Sequence, residues 1–317
     1  MTTSEITLIE PGIYSIPAEQ YHADPCPEPS LSGSIAIPLV HASPRHAWLA
    51  HPRLNPDHFP SGSSVTDLGS LSHALLLGAG ASLEIIDADD FRTKAAQVAR
   101  DEARAAGRIP CLRHKYDEAL VMADEARKFL SESGISLADG KPERTLVWRD
   151  KGAWCRGMID WLSDDMGTVI DYKTTGTSVS PWQFERHLYE MSYHLKTAFY
   201  ERGLNVLDPE RAGRRQFLIL AQENFAPFAC SLVVITEEGM VIGRKQAAYA
   251  LLKWRTCLPL KGPWPGYPPR PVGLSPPPWA SKAWLEREMV DPDATGETGQ
   301  EPAPPHSSEN QNSVVGD

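Results

Sequence analysis

The sequence lacks the features that would place it in a secreted or membrane-spanning class. None of its apolar runs reaches the ~18 residues that a transmembrane helix needs. The opening residues MTTSEITLIEPG contain neither a basic region nor an apolar stretch. We therefore expect no signal peptide, no membrane contact and a cytoplasmic location.

Cysteine is scarce, and no two cysteines form a CxxC pair. The sequence has five, at scattered positions: Cys26, Cys111, Cys155, Cys230 and Cys257. An odd, dispersed set argues against a disulfide framework and against a zinc ribbon, so we expect free thiols. A nucleotide-binding loop is missing too, because the glycine-rich GAGAS (78–82) has no P-loop lysine and no strand before it.

The chain also lacks the excess of positive charge that is common in DNA-binding proteins. Its formal net charge is −10. Residues 285–317 alone carry eight acidic residues and one basic residue, so the rest of the chain is close to neutral. A site built from carboxylates contributes negative charge that a bound metal offsets. The charge therefore neither supports nor excludes nucleic acid as a partner.

Composition divides the chain into four regions. Residues 1–62 are rich in Pro, Ser and Gly, and we expect a loop-rich segment packed on the core. Residues 63–258 form the predicted main domain, whose part before residue 136 has a helical pattern. Residues 259–289 are a proline-rich extension, in which WASKAWLEREM (279–289) favours one short helix. Residues 290–317 are polar and acidic, and we expect disorder there.

The middle of the main domain has the pattern of a three-stranded antiparallel meander. Its strands are RTLVWR (144–149), AWCRGMIDWL (153–162) and TVIDYK (168–173), separated by the turn sequences DKG and SDDMG. A helix is predicted next, running from Pro181 to about Arg202 with Gly203 as its cap. Two strands (215–222 and 228–236) and a helix (237–257) complete the order.

Three residues in this meander suggest metal-dependent phosphodiester chemistry. Asp171 and Lys173 are two apart on one strand, so they point to one side of the sheet, while Tyr172 points to the other. Asp160 lies late in the preceding strand. Carboxylates bind Mg²⁺ or Mn²⁺, the metal activates a water, and a lysine stabilises the charged transition state.

A D-x-K pair alone is a weak indication, and a surface salt bridge is the alternative. Both aspartates lie within apolar sequence, GMI–WL and TVI, where unpaired carboxylates are costly. A tight hairpin would place Asp160 deeper in the sheet than a direct partner of Asp171. We therefore expect strand twist or splaying to bring the two together.

The segment GMIDWLSDDMGTVIDYKTT resembles the core motif of PD-(D/E)xK nucleases, in the RecB-like branch that includes RecE-type exodeoxyribonuclease VIII domains. Further segments resemble the RecE-like domain in the same order: EQYHADPCPEPSLSGS, SPRHAW, DLGSLSHALLL, FRTKAAQVARDEARAAGRIPC, PERTLVWRD and FLILAQENFAPF. The resemblance covers about residues 8–258. It implies an α/β (α+β) fold with a restriction-endonuclease-like core, namely a mixed sheet with the meander, flanked by helices.

The resemblance assigns roles to individual positions. It implies His73, Asp160, Asp171 and the backbone carbonyl of Tyr172 as metal ligands, with Lys173 as the catalytic lysine. Thr174 follows this lysine in the family's usual way and is a candidate DNA contact, whereas the role of Glu143 stays open. Without the resemblance, His73 on the apolar helix LGSLSHALLLG, with Asp67 as a candidate N-cap and Gly78 at its end, is more typical of a hydrogen-bonded core histidine than of a metal ligand.

Candidate DNA contacts follow the meander. Tyr189, Tyr193, Lys196 and Tyr200 have helical spacing that places them on one face. The family usually has Gln-x-x-x-Tyr here, and Lys196 stands at the glutamine position, which puts the role of this helix in doubt. A tyrosine core stripe is the alternative. Arg211, Arg214 and Arg215 form a small basic cluster that either contacts DNA or is a solvated loop.

The resemblance implies a Mg²⁺-dependent exonuclease on linear double-stranded DNA, with Mn²⁺ able to substitute. It further implies 5′ to 3′ digestion in phage-type recombination, a single-strand-annealing partner and a ring-shaped homo-oligomer. The alternative is a non-catalytic DNA-binding or scaffold module that has kept the fold. The presence of His73, Asp160, Asp171 and Lys173 argues against this alternative.

Overall fold

The computed structural model describes residues 7–58, 68–79, 82–106 and 108–295. Residues up to Tyr267 form one compact unit, and those from Pro268 onward form a second. The second unit contains α10 (Pro278–Glu288) and a 3-10 turn (Pro292–Thr295). The predicted helix at 279–289 is therefore confirmed, whereas the predicted acidic tail lies mostly outside the described residues.

A mixed sheet of seven strands forms the centre of the first unit. The predicted meander is present as β5 (Gly140–Asp150), β6 (Ala153–Ser163) and β7 (Thr168–Thr175). The next strand, β8 (Gln216–Glu223), pairs with β7 in parallel, and β9 (Cys230–Val233) pairs with β8 antiparallel. The sheet is flanked by helices, so the predicted restriction-endonuclease-like fold class is confirmed.

The N-terminal segment takes part in this sheet. It contains β1 (Gly12–Tyr14), α1 (Ala18–His22), β2 (Leu31–Ser32), α2 (Gly33–His41) and α3 (Pro44–Ala50). β1 pairs with β5 antiparallel, and β2 pairs with β6 in parallel. The segment that was expected to pack on the core as loops and short helices thus supplies two strands of the sheet itself.

Helices cover both faces of the sheet because its strands carry apolar side chains on both sides. One face packs on α8 (Tyr193–Leu207) and α9 (Glu237–Cys257), with Trp148, Phe199 and Trp254 in the core between them. The other face packs on α4 (Leu68–Leu77) and α6 (Arg113–Glu132), where Tyr172 and Leu220 contact small side chains of α6. β7 is therefore buried from both sides.

The single helix predicted over 181–202 is wrong. The structure has two helices, α7 (Pro181–Glu190) and α8, separated by Met191 and Ser192, and Ser192 has a φ of 57°. Gly203 lies inside α8 instead of capping it. It is needed there for close packing, because a Cβ atom at this position would come within 2.9 Å of the Trp148 ring.

The region predicted as helical before residue 136 also contains two short strands. β3 (Leu83–Ile86) and β4 (Ile109–Leu112) form a separate parallel pair around α5 (Lys94–Ala105). Each is only four residues long, too short for a periodic pattern to distinguish it from helix. Gly78 follows the end of α4 with a φ of +64°, as its predicted capping position requires, whereas the candidate N-cap Asp67 lies outside the described residues.

The core extends beyond the predicted domain end at residue 258. Trp264 is completely buried, and its ring centroid lies 5.2 Å from that of Trp254. Part of the predicted proline-rich extension therefore belongs to the first unit. All five cysteines are free thiols. Within the described ranges, no helix is long and apolar enough to cross a membrane.

Candidate active site

The two aspartates of the predicted site face each other where β6 and β7 part. The last paired residues are Trp161 with Ile170, so Asp160 and Asp171 would form the next pair. The ladder stops there, and the Asp160 carboxylate accepts a hydrogen bond from the Tyr172 backbone N–H at 2.8 Å. The expectation that Asp160 lies deeper than a direct partner is therefore wrong, although the strands do splay at this level.

Lys173 places its ammonium group among three oxygens. Its Nζ lies 2.8 Å from Asp171 Oδ1, 3.3 Å from Asp160 Oδ2 and 3.1 Å from the Tyr172 carbonyl oxygen. The Asp171 contact is an ion pair, since no hydrogen bond of regular geometry reaches this buried oxygen. These oxygens belong to three of the four groups predicted as metal ligands, and they surround one cation in the structure.

The electrostatics of this cluster depend on mutual compensation. Burial alone would raise the pKa of Asp160, but Lys173 and His73 outweigh it and hold that pKa well below its usual value. Burial likewise opposes the charge on Lys173, and the two aspartates raise its pKa. Each ion therefore stays charged because the others are charged, and removing one leaves a buried charge without compensation.

His73 reaches the same aspartate from α4. Its Nε2 lies 3.5 Å from Asp160 Oδ1, the oxygen that Lys173 does not contact. Among the described residues, no three His, Cys, Asp or Glu side chains converge as a preformed metal site. The Lys173 ammonium group lies instead between the oxygens of Asp160 and Asp171.

The donor set nevertheless fits a divalent cation. It provides two carboxylates, one backbone carbonyl and one imidazole, and the hard oxygens match Mg²⁺ or Mn²⁺. The buried Asp171 Oδ1 without a hydrogen bond is the kind of atom that a metal ion satisfies. Asp160, Asp171, the Tyr172 carbonyl and His73 are thus the groups that would hold such an ion.

Lys196, at the family's usual glutamine position, brings a second positive charge to the site. Its Nζ lies 3.8 Å from Asp171 Oδ1. Burial alone would lower the pKa of Lys196, but Asp171 and Asp160 raise it to about 12. Two lysines therefore balance two aspartates here.

The tyrosines expected to contact DNA lie beneath these lysines. The Lys173 ammonium is 5.8 Å from the Tyr193 ring centroid, and that of Lys196 is 5.5 Å from the Tyr200 ring centroid. Tyr193 and Tyr200 are both buried, so direct contact with DNA is not their role in this structure. They hold the lysines through cation–π contacts instead. Tyr189 is on α7, so the expected single-face stripe does not exist.

The basic cluster divides into a buried and an exposed part. The Arg215 side chain is only 1% exposed, and it hydrogen-bonds Asp208, Asn205 and the Met166 carbonyl. The prediction of Arg215 as a DNA contact is therefore wrong, because its side chain is buried and hydrogen-bonded within the fold. Arg214 is exposed and donates to the Glu210 carbonyl. Arg211 pairs with Asp208.

Glu143 faces the site from β5. It is opposite Asp160 in the β5–β6 ladder. The residues on either side of these two form pairs, whereas Glu143 and Asp160 do not. Its φ of 46° is unusual for a residue with a side chain. Burial, followed by the charge of Asp160, raises the pKa of Glu143, whereas His73 opposes this shift. Glu143 thus lies within the electrostatic field of the site.

Sequence reasoning missed the polar network behind β7. The Tyr172 hydroxyl bonds both Ser72 and Gln222, and the Gln222 amide donates to the carbonyls of Met122 and Phe228. The His73 ring stacks on Tyr172, with 5.8 Å between centroids and 21° between planes. Strand alternation predicted that Tyr172 points into the packing, but it did not indicate these partners, which lie on α4 and β8.

Comparison with known proteins places this site in a family. The family described as "PDDEXK-like domain of unknown function (DUF3799)" matches residues 55–266. No curated protein has significant similarity to the chain. The crystal structure of a "Putative exonuclease" from Eubacterium rectale covers 85% of this chain and 98% of its own, at 11% identity and a TM-score of 0.51, so the two share a fold.

A second solved structure, that of SSO0001, covers 58% of this chain and 84% of its own at 11% identity. Its TM-score of 0.25 is too low to bear on the fold. The family match extends over more than half of the chain and includes His73, Asp160, Asp171 and Lys173. The chain therefore belongs to the PDDEXK-like family DUF3799, within the PD-(D/E)xK nuclease superfamily.

Proposed function

We propose that this protein is a divalent-metal-dependent nuclease that hydrolyses phosphodiester bonds in DNA, with Mg²⁺ as its ion and Mn²⁺ able to replace it. The observation that carries the proposal is the position of the Lys173 ammonium among the oxygens of Asp160, Asp171 and the Tyr172 carbonyl. A site that already encloses one positive charge with three oxygens suits a cation bound beside a phosphate.

Each residue has a definite task in this reaction. Asp160, Asp171, His73 and the Tyr172 carbonyl would hold the ion, which activates a water and neutralises charge on the phosphate. Lys173, once it no longer pairs with both aspartates, donates to the attacking water or to a phosphate oxygen. The Tyr193 ring lies under the Lys173 ammonium group, so this lysine stays within reach of the carboxylates.

The test compares wild type, Asp171→Asn and the matched control Asp89→Asn, whose aspartate is on an exposed loop. Duplex DNA is incubated with Mg²⁺, Mn²⁺ or EDTA. We expect cleavage by wild type and control with either metal, and none with EDTA or with Asp171→Asn. DNA binding without cleavage under any divalent metal would instead favour a non-catalytic scaffold module.

A second readout measures metal binding without activity. A ligand that binds only the folded state at ten times its Kd stabilises that state by about 1.4 kcal/mol. Mg²⁺ should therefore raise the Tm of wild type and Asp89→Asn, and leave the Tm of Asp171→Asn nearly unchanged. An equal rise in all three proteins would place the ion elsewhere.

The finer proposal is a RecE-type exonuclease that digests linear double-stranded DNA from 5′ to 3′ in phage-type recombination. Its support is the ordered series of RecE-like segments between residues 8 and 258. A single-strand-annealing partner and a ring-shaped homo-oligomer belong to the same proposal. Duplexes labelled at either end, beside closed circles, test it. Early release of the 5′ label with intact circles is expected, whereas cleavage of circles contradicts it.

A further inference from the structure

The residues of the candidate site open into a cleft of about 430 Å³, which is formed in part by the N-terminal segment. Lys173 and Thr174 of β7 and His73 and Ser70 of α4 line one part of it. Ala18 and His22 of α1 line another. The site therefore has a wall that is distant in sequence from the meander and outside the segment that the family match covers.

This wall is fixed although α1 is only five residues long, too short to be stable alone. Two residues after α1, the completely buried Asp24 carboxylate accepts hydrogen bonds from the Ser30 N–H and hydroxyl at 2.8 and 2.7 Å. The same carboxylate lies 3.1 Å from Nη1 of Arg156, on β6. Arg156 also lies 5.5 Å from the Tyr21 ring centroid. The strand that carries Asp160 thus anchors α1.

His22 is the polar side chain that this wall presents to the cleft. It is exposed and makes no hydrogen bond within the described part of the chain. Partial desolvation of the ring, followed by the positive charges of Arg156 and Lys196, holds the pKa of His22 below its usual value. The ring is therefore neutral at pH 7, with one nitrogen free to donate to a phosphate oxygen.

We propose that His22 donates a hydrogen bond to a phosphate of the DNA strand in the cleft, and so contributes to DNA affinity more than to the rate of bond cleavage. The inference rests on the proposed nuclease function. DNA that reaches Lys173 passes the α1 wall, because both line the same cleft. A hydrogen bond to a charged group of this kind corresponds to about a ten-fold change in binding.

The test compares full-length wild type, His22→Ala, His22→Gln and the control His114→Ala, whose histidine is exposed on α6 and does not line the cleft. Fluorescence anisotropy in EDTA measures the Kd for a short duplex, and cleavage assays in Mg²⁺ measure KM and kcat. We expect His22→Ala to raise Kd and KM about ten-fold with kcat within two-fold. His22→Gln, which keeps a donor, should restore most of the affinity.

Three results would overturn the inference: unchanged Kd and KM in His22→Ala, a fall in kcat alone, or no rescue by glutamine. If wild type cleaves no DNA with any metal, the nuclease proposal fails. The anisotropy measurement still decides the role of His22 in that case. Weaker binding by His22→Ala than by His114→Ala would support His22 as a phosphate contact even without cleavage.

Discussion

The Tyr172 hydroxyl lies 2.8 Å from the Ser72 hydroxyl and so joins the strand that carries Asp171 and Lys173 to the helix that carries His73. The same hydroxyl reaches Gln222 on the next strand. Because Ser72 is adjacent to His73 in sequence and the His73 ring stacks on Tyr172, this contact determines where the histidine stands relative to the aspartates.

Tyr172→Phe should therefore weaken both stability and metal binding. The change leaves the buried side-chain oxygen of Gln222, Oε1, without its hydrogen-bond donor. Such a loss lowers the free energy of unfolding by about 1–3 kcal/mol. The Mg²⁺ concentration for half-maximal activity should rise, since His73 is held less firmly. Urea unfolding and a Mg²⁺ titration measure the two effects. Tyr249→Phe, on the exposed side of α9, is the control, and equal effects in both variants would contradict the prediction.

Lys196→Gln should strengthen metal binding while weakening DNA binding. Its ammonium lies 3.8 Å from Asp171 Oδ1, so removing this charge removes repulsion of a cation bound by Asp171. We expect the Mg²⁺ concentration for half-maximal activity to fall several-fold. The Kd for DNA should rise, because the site loses one positive charge that attracts phosphate. Isothermal titration with Mn²⁺ checks the first effect. Weaker metal binding would show that Lys196 supports the site in another way.

Arg215→Ala should be strongly destabilising without a direct effect on DNA. It leaves Asp208, which is itself largely buried, with only the longer contact to Arg211. Loss of such a buried pair costs about 3 kcal/mol. The exposed neighbour Arg214 provides the control, and its alanine variant should change stability by less than about 0.5 kcal/mol. A large increase in the Kd for DNA in folded Arg215→Ala protein would reverse this conclusion.

The stability of the anchor around Asp24 should decrease in acid. Burial lowers the pKa of His51 from 6.5, and hydrogen bonds from His51 and Ser30 together with Arg156 outweigh burial to lower that of Asp24. Both folded-state values lie below the unfolded ones, so the unfolded chain binds protons first as pH falls.

The free energy of unfolding should therefore be highest above about pH 6.5 and decline below it, first through His51 and, at lower pH, through Asp24. Burial also lowers the pKa of His194, which contributes in the same pH range. Urea unfolding between pH 7.5 and 5 measures the slope. His51→Gln should reduce that slope, and a slope equal to that of wild type would contradict the assignment.

Local pattern was sufficient to predict the meander and the common side of Asp171 and Lys173, but not that Asp160 stands directly opposite Asp171. Strand alternation places Asp171 and Lys173 on one side, and the turn sequences fix where the strands reverse. The break before Ser192 was not predictable, because the surrounding residues favour helix throughout. It requires Ser192 to adopt a φ of 57°, which no local pattern indicates.

The same limit applies to the charged residues. Arg214 and Arg215 are adjacent and chemically identical, yet one is exposed and the other is buried against Asp208. The positions of Asp208, Asn205 and the Met166 carbonyl around Arg215 decide this difference, and they require the fold. Likewise, His22 is more than a hundred residues from the meander, and the N-terminal segment reaches the site through the pairing of β1 with β5 and of β2 with β6 and through the ion pair of Asp24 with Arg156.

The match to the family begins at residue 55, whereas Asp24 lies well before it. A chain shortened to the matched segment would lose β1, β2 and the carboxylate that compensates Arg156, whose side chain is 4% exposed. Without Asp24, the charge of Arg156 would be buried without compensation, or water would have to enter the interior. The loss would fall on β6, the strand that carries Asp160. The smallest unit that keeps the candidate site intact is therefore longer than the segment that the family match covers.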